Sequence, residues 1–215
     1  YGDEGKIMGL SAYGQPTLLP RLRRLVNLHA DGTFTLNLAY FRHHREGVDM
    51  SFGADTPQVG RLFSPALCEL LGSPRPPGPG IEQEPYFCDV AASLQALLNE
   101  VIVHLCRHLQ RRTQQDALCL AGGVALNCVA NAAILDHTDF RRVFIQPAAG
   151  DNGTAIGAAL WGQHQILGLP RRFVMRHAYT GPSFDEAACR QALDAWLATC
   201  PSPLRMESLD DDAAR

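Results

Sequence analysis

The sequence has no strong excess of charge of either sign. Its 19 basic and 22 acidic side chains give a formal net charge of −3 over 215 residues. So small a charge produces no field that would attract nucleic acid or an anionic lipid surface. The sequence also has no internal repeat, and no run that reaches the roughly 18 apolar residues needed to cross a bilayer. We therefore expect a protein with neither a nucleic-acid nor a membrane partner.

Cysteine pairs of the C-x-x-C type are also missing. The seven cysteines are odd in number and widely spaced, at positions 68, 88, 106, 119, 128, 189 and 200. This pattern favours reduced thiols in a cytoplasmic protein over a disulfide framework. Cys119 and Cys128 flank a glycine pair, but neither has a partner histidine in view. We therefore expect both thiols to lie in the core.

The hydrophobic pattern that is present is typical of a parallel α/β layer. It predicts a long helix over 89–112, a buried strand over 116–123, a helix over about 125–136, a strand over 141–147 and a third helix after a glycine-rich turn. Six residues are expected to form the apolar stripe of the long helix, namely Leu94, Leu98, Val101, Ile102, Leu105 and Leu109.

The remaining sequence predicts less regular structure. A short helix is expected over 17–28, and alternating residues predict a strand over 33–41. Residues 43–88 are rich in proline and glycine, which favours a long connection broken by one short helix at 65–71. After Pro170 the sequence pattern changes. The stretch "GPSF" followed by "DEAACRQALDAWL" predicts an N-capped helix of a new unit.

Two glycine turns follow the two predicted strands. Gly122 and Gly123 come after the first strand, and Gly150 and Gly153 come after the second. A helix start presents unpaired N–H groups, and glycine lets a phosphate approach them closely. Since ligands of open α/β sheets bind at the carboxyl ends of the strands, both turns could face one nucleotide, with Asn127 offering its amide. Tight packing of helix on strand explains the glycines equally well, and the dinucleotide and P-loop spacings are absent.

Candidate metal ligands are few. Asp151 stands on the second glycine turn, where a carboxylate beside a phosphate is suited to a hard cation. Aspartate is also a common helix N-cap, and the local sequence alone favours capping. His104 and His108 are four residues apart on the long helix, a spacing that can bind a metal. Because they lie on the flank of the apolar stripe, we interpret both as helix-surface histidines.

Three stretches resemble the signatures of the bacterial O-carbamoyltransferases, a family that includes nodulation-factor, aminoglycoside and cephem carbamoyltransferases. They are "GDEGKIMGLSAYG" at 2–14, "LCLAGGVALNCVAN" at 118–131 and "FIQPAAGDNGTAIGAAL" at 144–160. The resemblance implies an α/β fold, part of an actin-like ATPase domain whose parallel-layer sheet is flanked by helices. It also implies the activity: carbamoyl phosphate and ATP form a carbamoyl adenylate, and the carbamoyl group then passes to a hydroxyl of a small molecule or glycan.

The resemblance also assigns roles to residues of the two glycine turns. "GGVALN" resembles the turn whose asparagine contacts the nucleotide, which implies nucleotide binding by Gly122, Gly123 and Asn127. "GDNG" resembles the metal-binding turn of the family. It implies that Asp151 binds a divalent cation, iron or magnesium, in preference to capping, and that Asn152 contacts the nucleotide.

The first motif and the family's domain order carry further implications of the resemblance. Gly9 and Gly14 resemble a wall of the adenosine pocket. In the family, an H-x-x-x-H pair of metal ligands precedes this motif and a YrdC-like domain follows "GPSF". We therefore expect 1–177 to be the later part of the actin-like domain and 178–215 to be a linker and the start of the C-terminal domain. Such a fragment would be inactive alone.

Two alternatives stay open at this point. One is the tRNA threonylcarbamoyl-transfer branch of the same ATPase fold, although no basic surface for tRNA is evident in the sequence. The other is a non-catalytic actin-like module that binds a nucleotide.

Overall fold

The computed structural model describes residues 4–52, 57–175, 177, 179 and 181–200. The chain divides into two compact units, Tyr1–Arg172 and Phe173–Arg215. The predicted boundary between 177 and 178 concerns domains of the family and stays a prediction.

The first unit begins with short helices and a hairpin. Helix α1 spans Glu4–Leu10, α2 spans Leu19–Leu22, and 3-10 turns follow each of them. Strands β1 (Val26–Leu28) and β2 (Phe34–Leu36) pair in antiparallel register. The helix predicted over 17–28 is therefore too long, because its last three residues pair with β2. The predicted strand at 33–41 is also too long, because Asn37 caps a 3-10 turn by accepting the N–H of Ala39.

The proline-rich connection contains short regular elements. Helix α3 spans His43–Glu46, and strands β3 (Met50–Phe52) and β4 (Pro57–Val59) form a second antiparallel pair. Helix α4 spans Pro65–Leu71 and begins with proline at its first turn, where no N–H is required. The helix predicted at 65–71 is confirmed.

Helix α5, Pro85–Thr113, is the central element of the first unit. Its predicted apolar stripe is confirmed in part. Val101 is buried, and Ile102 and Leu105 are partly buried against the hydrophobic core, whereas Leu94 and Leu109 are each 43% exposed. The buried residues of its first two turns are small instead: Cys88, Ala91, Ala92 and Ser93. Small side chains allow the segment from α1 to α2 to pack closely on this face of the helix.

The same helix is long and apolar enough to cross a membrane by length and composition, with a mean hydropathy of 1.3 over 18 residues. The expectation from the sequence concerned an unbroken apolar run, and this helix has none of that length, because Asp89, Asn99 and Glu100 interrupt it. Of that window, 44% is buried inside the protein, and α5 packs against α1 and α2. The core helix of a soluble protein passes the same test.

Two hydrophobic clusters use different parts of α5. The first joins it to the α2 region and α4, and consists of Leu22, Leu25, Tyr40, Leu70, Leu97 and Val101. The second joins it to the strand–helix–strand segment that follows, and consists of Cys106, Leu118, Ile134 and Phe140. One long helix thus holds both halves of the first unit together.

The segment after α5 forms a parallel β-α-β unit, as predicted. Strand β5 (Ala117–Leu120) pairs with β6 (Arg142–Ile145), and helix α6 (Cys128–His137) connects them. Leu118 of β5 packs on Cys106 of α5 and Ile134 of α6. Cys119 and Phe144 lie on the other face of this two-stranded sheet and are exposed. In the described residues the helices therefore cover one face, within a mixed α/β fold.

Helix α7 spans Gly153–Trp161 and continues into one turn of π-helix, Gly162–Ile166. In the second unit, helix α8 spans Glu186–Leu197. The Asp185 carboxylate accepts the Ala188 N–H at 2.8 Å, which confirms the predicted N-cap.

Candidate functional site

The two glycine turns lie in contact at the carboxyl ends of β5 and β6. The Gln146 N–H donates to the Leu120 carbonyl at 3.0 Å and continues the parallel ladder past the strands. The Gly122 N–H then donates to the Ala149 carbonyl at 2.8 Å, which joins one turn to the other. The proximity expected from the strand order is therefore confirmed.

The first turn exposes backbone rather than side chains. Gly122 has a φ of +101°, a conformation that favours glycine, and a Cβ on Gly122 or Gly123 would meet nothing within 4 Å. Gly123–Leu126 forms a 3-10 turn before α6. In the described part of the chain, the N–H groups of Gly123 and Val124 make no hydrogen bond. Both residues are exposed, so these two donors are available to an anion.

The side chain of Asn127 is largely engaged within the protein. Its Oδ1 accepts the Ala130 N–H at 2.9 Å and so caps α6. It also pairs with the buried Gln95 of α5: Nδ2 donates to Gln95 Oε1 at 2.9 Å, and Gln95 Nε2 donates back at 3.2 Å. One N–H of the Asn127 amide is left over, so its contact with a nucleotide stays a prediction.

Gln95 is a site-supporting residue that sequence reasoning missed. It is 8% exposed and also donates to Asn99 Oδ1 at 2.8 Å. The available signal was a glutamine among the small apolar residues of the buried face of α5. A buried amide in such a position requires partners of its own.

The second turn presents Asp151 to solvent. In the part of the chain that the structure describes, its carboxylate makes no hydrogen bond or ion pair. The N-cap position of α7 falls on Asn152, which is exposed and whose side chain makes no capping bond. The capping role considered for Asp151 is thus not observed, while its backbone carbonyl accepts the Thr154 hydroxyl at 2.6 Å.

Gly153 fixes the shape of this second turn. A Cβ on this residue would lie 2.0 Å from the Ala148 carbonyl oxygen, so the turn closes only around glycine. The Gly153 N–H donates to the Gly150 carbonyl at 3.0 Å, which leaves the N–H groups of Asp151 and Asn152 without a partner among the described residues.

A free, exposed carboxylate fits a hard cation as one ligand. No group of three or more histidine, cysteine, aspartate or glutamate side chains with metal-binding geometry occurs among the described residues. Asp151 therefore contributes a single donor here, and metal binding at this residue stays a prediction.

Gly9 and Gly14 differ sharply in their surroundings. A Cβ on Gly14 would lie 2.2 Å from the carbonyl carbon and oxygen of Cys88, so Gly14 permits contact with the first turn of α5. Gly9 on α1 is exposed, with nothing within 4 Å of an added Cβ. Gly14 thus has a packing role, and the adenosine contacts of both residues stay predictions.

Two expectations about nearby side chains are wrong. His104 and His108 are partly buried rather than on the helix surface: a Cβ on Gly32 would lie 2.0 Å from the His108 ring, and His104 Nε2 is buried. Cys119 and Cys128 are exposed rather than in the core, because they lie on the uncovered sheet face and at the start of α6. Hydrophobic periodicity could not show which faces neighbouring segments cover.

An ion pair lies at the opposite end of the two strands. Arg142 at the start of β6 donates to Asp116 Oδ1 at 2.8 Å, and this hydrogen bond together with the arginine charge lowers the pKa of Asp116. The pair ties the first residues of the two strands to each other. The carboxyl end keeps its backbone donors and the Asp151 carboxylate uncommitted.

The first unit is a mixed α/β unit with two glycine turns in contact at the carboxyl ends of adjacent parallel strands, the edge at which open α/β sheets generally bind their ligands. Residues 1–160 match the family model described as "Carbamoyltransferase N-terminus", and the chain belongs to this family.

Several curated relatives are similar over most of the chain. An uncharacterized protein from Synechocystis is 40% identical over 188 residues, which cover 84% of this chain and 28% of the relative. The nodulation protein NolO from Bradyrhizobium diazoefficiens is 35% identical over 195 residues, or 90% of this chain and 31% of the relative. The 3'-hydroxymethylcephem-O-carbamoyltransferase of Streptomyces clavuligerus is 30% identical over 137 residues, or 63% and 23%. The chain thus spans about three tenths of the length of the first two relatives.

Proposed function

We propose that this chain forms part of the nucleotide site of an ATP-dependent O-carbamoyltransferase. In this reaction hydrolysis of carbamoyl phosphate releases phosphate, the carbamate reacts with ATP to form a carbamoyl adenylate and releases pyrophosphate, and the carbamoyl group then passes to a hydroxyl of a small molecule or glycan with release of AMP. The observation that carries the proposal is the hydrogen bond from Gly122 to Ala149, which holds two donor-rich turns together in a member of the carbamoyltransferase family. The actin-like fold of the domain and a cytoplasmic location belong to the same proposal.

The two turns supply different parts of the proposed site. The N–H groups of Gly123, Val124, Asp151 and Asn152 would bind phosphate oxygens, since each lacks a partner among the described residues. Gly122 leaves the approach to them open. Adenylate formation concentrates negative charge on phosphate, so preorganised donors of this kind stabilise the transition state.

A divalent cation, iron or magnesium, would add charge stabilisation when it is bound. Asp151 is the residue of this chain that would hold it, because its carboxylate is exposed and uncommitted. Gln95 would keep Asn127 in place, and Asn127 would keep the start of α6 in register with the turn.

The proposal is tested by incubating the intact protein with ATP, carbamoyl phosphate and Mg²⁺ or Fe²⁺, and by measuring AMP and pyrophosphate. We expect pyrophosphate to form only when carbamoyl phosphate is present, and AMP to follow as the carbamoyl adenylate gives up its carbamoyl group to a hydroxyl or to water. Asp151→Asn should reduce the rate of pyrophosphate release at least about tenfold. Asp136→Asn is the matched control, since Asp136 is an exposed carboxylate on α6.

Each negative outcome has a distinct meaning. ATP binding without carbamoyl-phosphate-dependent pyrophosphate release would favour a non-catalytic nucleotide module, and transfer of a threonylcarbamoyl group to tRNA would favour the tRNA-modifying branch. An Asp151→Asn variant as active as Asp136→Asn would remove Asp151 from the site.

A further inference from the structure

A second cleft lies along α5, lined by none of the residues of the two glycine turns. It encloses about 740 Å³, within the range of roughly 300–1,000 Å³ typical of small-molecule sites. One of its walls includes His137, the last residue of α6. Since α6 starts at the first glycine turn and has ten residues, His137 lies about 15 Å farther along that helix.

Two arginines of α5 carry the charge of this cleft. Arg107 and Arg111 are four residues apart, so their side chains are neighbours on one face of the helix. Arg107 Nε donates to the His137 carbonyl at 2.8 Å, which holds its guanidinium in place. Across the residues that the structure describes, the remaining nitrogens of Arg107 and the Arg111 guanidinium have no acidic partner. Their mutual repulsion would be relieved by an anion.

The acidic group in the cleft is already neutralised. Glu100 accepts from both Nε and a terminal nitrogen of Arg23, with an Nε–Oε2 distance of 2.9 Å. The pair contributes no net charge, and it leaves the cleft without an uncommitted carboxylate among its lining residues. The net charge of the cleft is therefore positive.

Two further polar side chains of α5, His104 and Asn99, lie in the same cleft. His104 lines the cleft, and its Nε2 is buried without a hydrogen-bond partner among the described residues. Asn99 also lines the cleft, and because its Oδ1 is occupied by Gln95, its amide N–H₂ is the group left over. A buried polar atom without a partner calls for a ligand or water to satisfy it.

We propose that this cleft binds the phosphate group of a small phosphorylated molecule, with Arg107 and Arg111 as its principal ligands. Guanidinium groups bind phosphate through paired, charge-assisted hydrogen bonds. The volume accommodates an organic group as well as the phosphate. The site is separate from the glycine turns and does not depend on the function proposed for them.

The test is calorimetric titration of the intact protein, in its Asp151→Asn form, with inorganic phosphate and with ribose 5-phosphate, without ATP or metal. We expect binding of at least one probe, and a loss of at least tenfold in affinity in the double variant Arg107→Gln/Arg111→Gln. Arg171→Gln/Arg172→Gln removes the same charge at exposed positions outside the cleft and should bind as before.

Tighter binding of ribose 5-phosphate would identify a phosphorylated organic ligand, and equal binding would identify free phosphate as sufficient. A second double variant, Arg107→Lys/Arg111→Lys, retains the charge and should recover part of the affinity if the first variant is folded. The proposal is overturned if neither probe binds, or if the cleft variant and the control variant lose affinity equally.

Discussion

At the residue scale, Asn127 and Gln95 form the link between α5 and the first glycine turn. Their two amide–amide hydrogen bonds, at 2.9 and 3.2 Å, join residues 32 positions apart in the chain. Gln95 is buried, so removing either partner leaves an amide group without its hydrogen bonds. The turn is thus held by a side-chain pair as well as by the sheet.

We predict that Gln95→Met and Asn127→Ser are energetically coupled. Each change should lower the free energy of unfolding by about 1–3 kcal/mol, while serine at 127 keeps the N-cap of α6. Urea unfolding of the 215-residue chain and its variants gives the double-mutant cycle, and we expect a coupling energy of about 0.5–3 kcal/mol. Additive losses would show that the pair does not act as a unit.

The four glycine residues of the turns look alike in the sequence but differ in whether the structure requires glycine at that position. Gly122 needs its positive φ and Gly153 has no room for a Cβ, so both are structural requirements. Gly123 and Gly150 have ordinary or open surroundings. The sequence marks all four alike, because a one-letter pattern contains no information about the neighbouring atoms.

At the scale of elements, the first turn of α5 is tied to the segment that follows Gly14. The Asp89 carboxylate accepts the Gln15 N–H at 2.8 Å and the Thr17 hydroxyl at 2.6 Å. The Gln15 N–H is the larger cause, and the Thr17 hydroxyl the second, of a pKa for Asp89 below its ordinary value of 3.8. These bonds anchor the start of the long helix against the segment that carries the first motif.

We predict that this anchor is lost in acid. Since the pKa of Asp89 is lower in the folded state, its stabilisation is present above the unfolded pKa of about 3.8 and disappears as the pH falls through the folded value. Asp89→Asn should therefore lower the free energy of unfolding at about pH 6 and have a smaller effect at about pH 2.5.

Urea unfolding at the two pH values checks this, with Asp136→Asn as the control on another exposed carboxylate. An equal effect of Asp89→Asn at both pH values would mean that the charge of Asp89 does not anchor α5.

The elements that were predicted correctly are those whose signals are local. Helix α4 has proline at its start, α8 has an aspartate cap, and β5 and β6 are short apolar runs before glycine turns. The stripe of α5 was misassigned at its N-terminal end, because the residues buried there, from Cys88 to Gln95, are small residues and a glutamine. Which side of such a helix is buried depends on the segments that pack against it, and hydrophobic periodicity does not contain that information.

At the scale of the whole molecule, the family match and the contact between the two turns support some parts of the proposed site, while other parts rest on sequence motifs alone. The family match covers residues 1–160, and the contact between the turns agrees with a ligand at the carboxyl edge of the strands. The strand order was enough to predict that contact. The roles of Asp151, Asn127, Asn152 and Gly9 rest on the resemblance of motifs, because they depend on contacts with a ligand.

The central claim is that both glycine turns bind a single nucleotide, and hydrogen exchange of the intact protein with and without ATP and Mg²⁺ tests it most directly. The unbonded N–H groups of Gly123, Val124, Asp151 and Asn152 should exchange rapidly in the free protein. We predict that ATP slows exchange in peptides covering 119–128 and 148–154 together, while α4 is unchanged. Protection of one turn alone, or of neither while ATP is bound, would contradict the account.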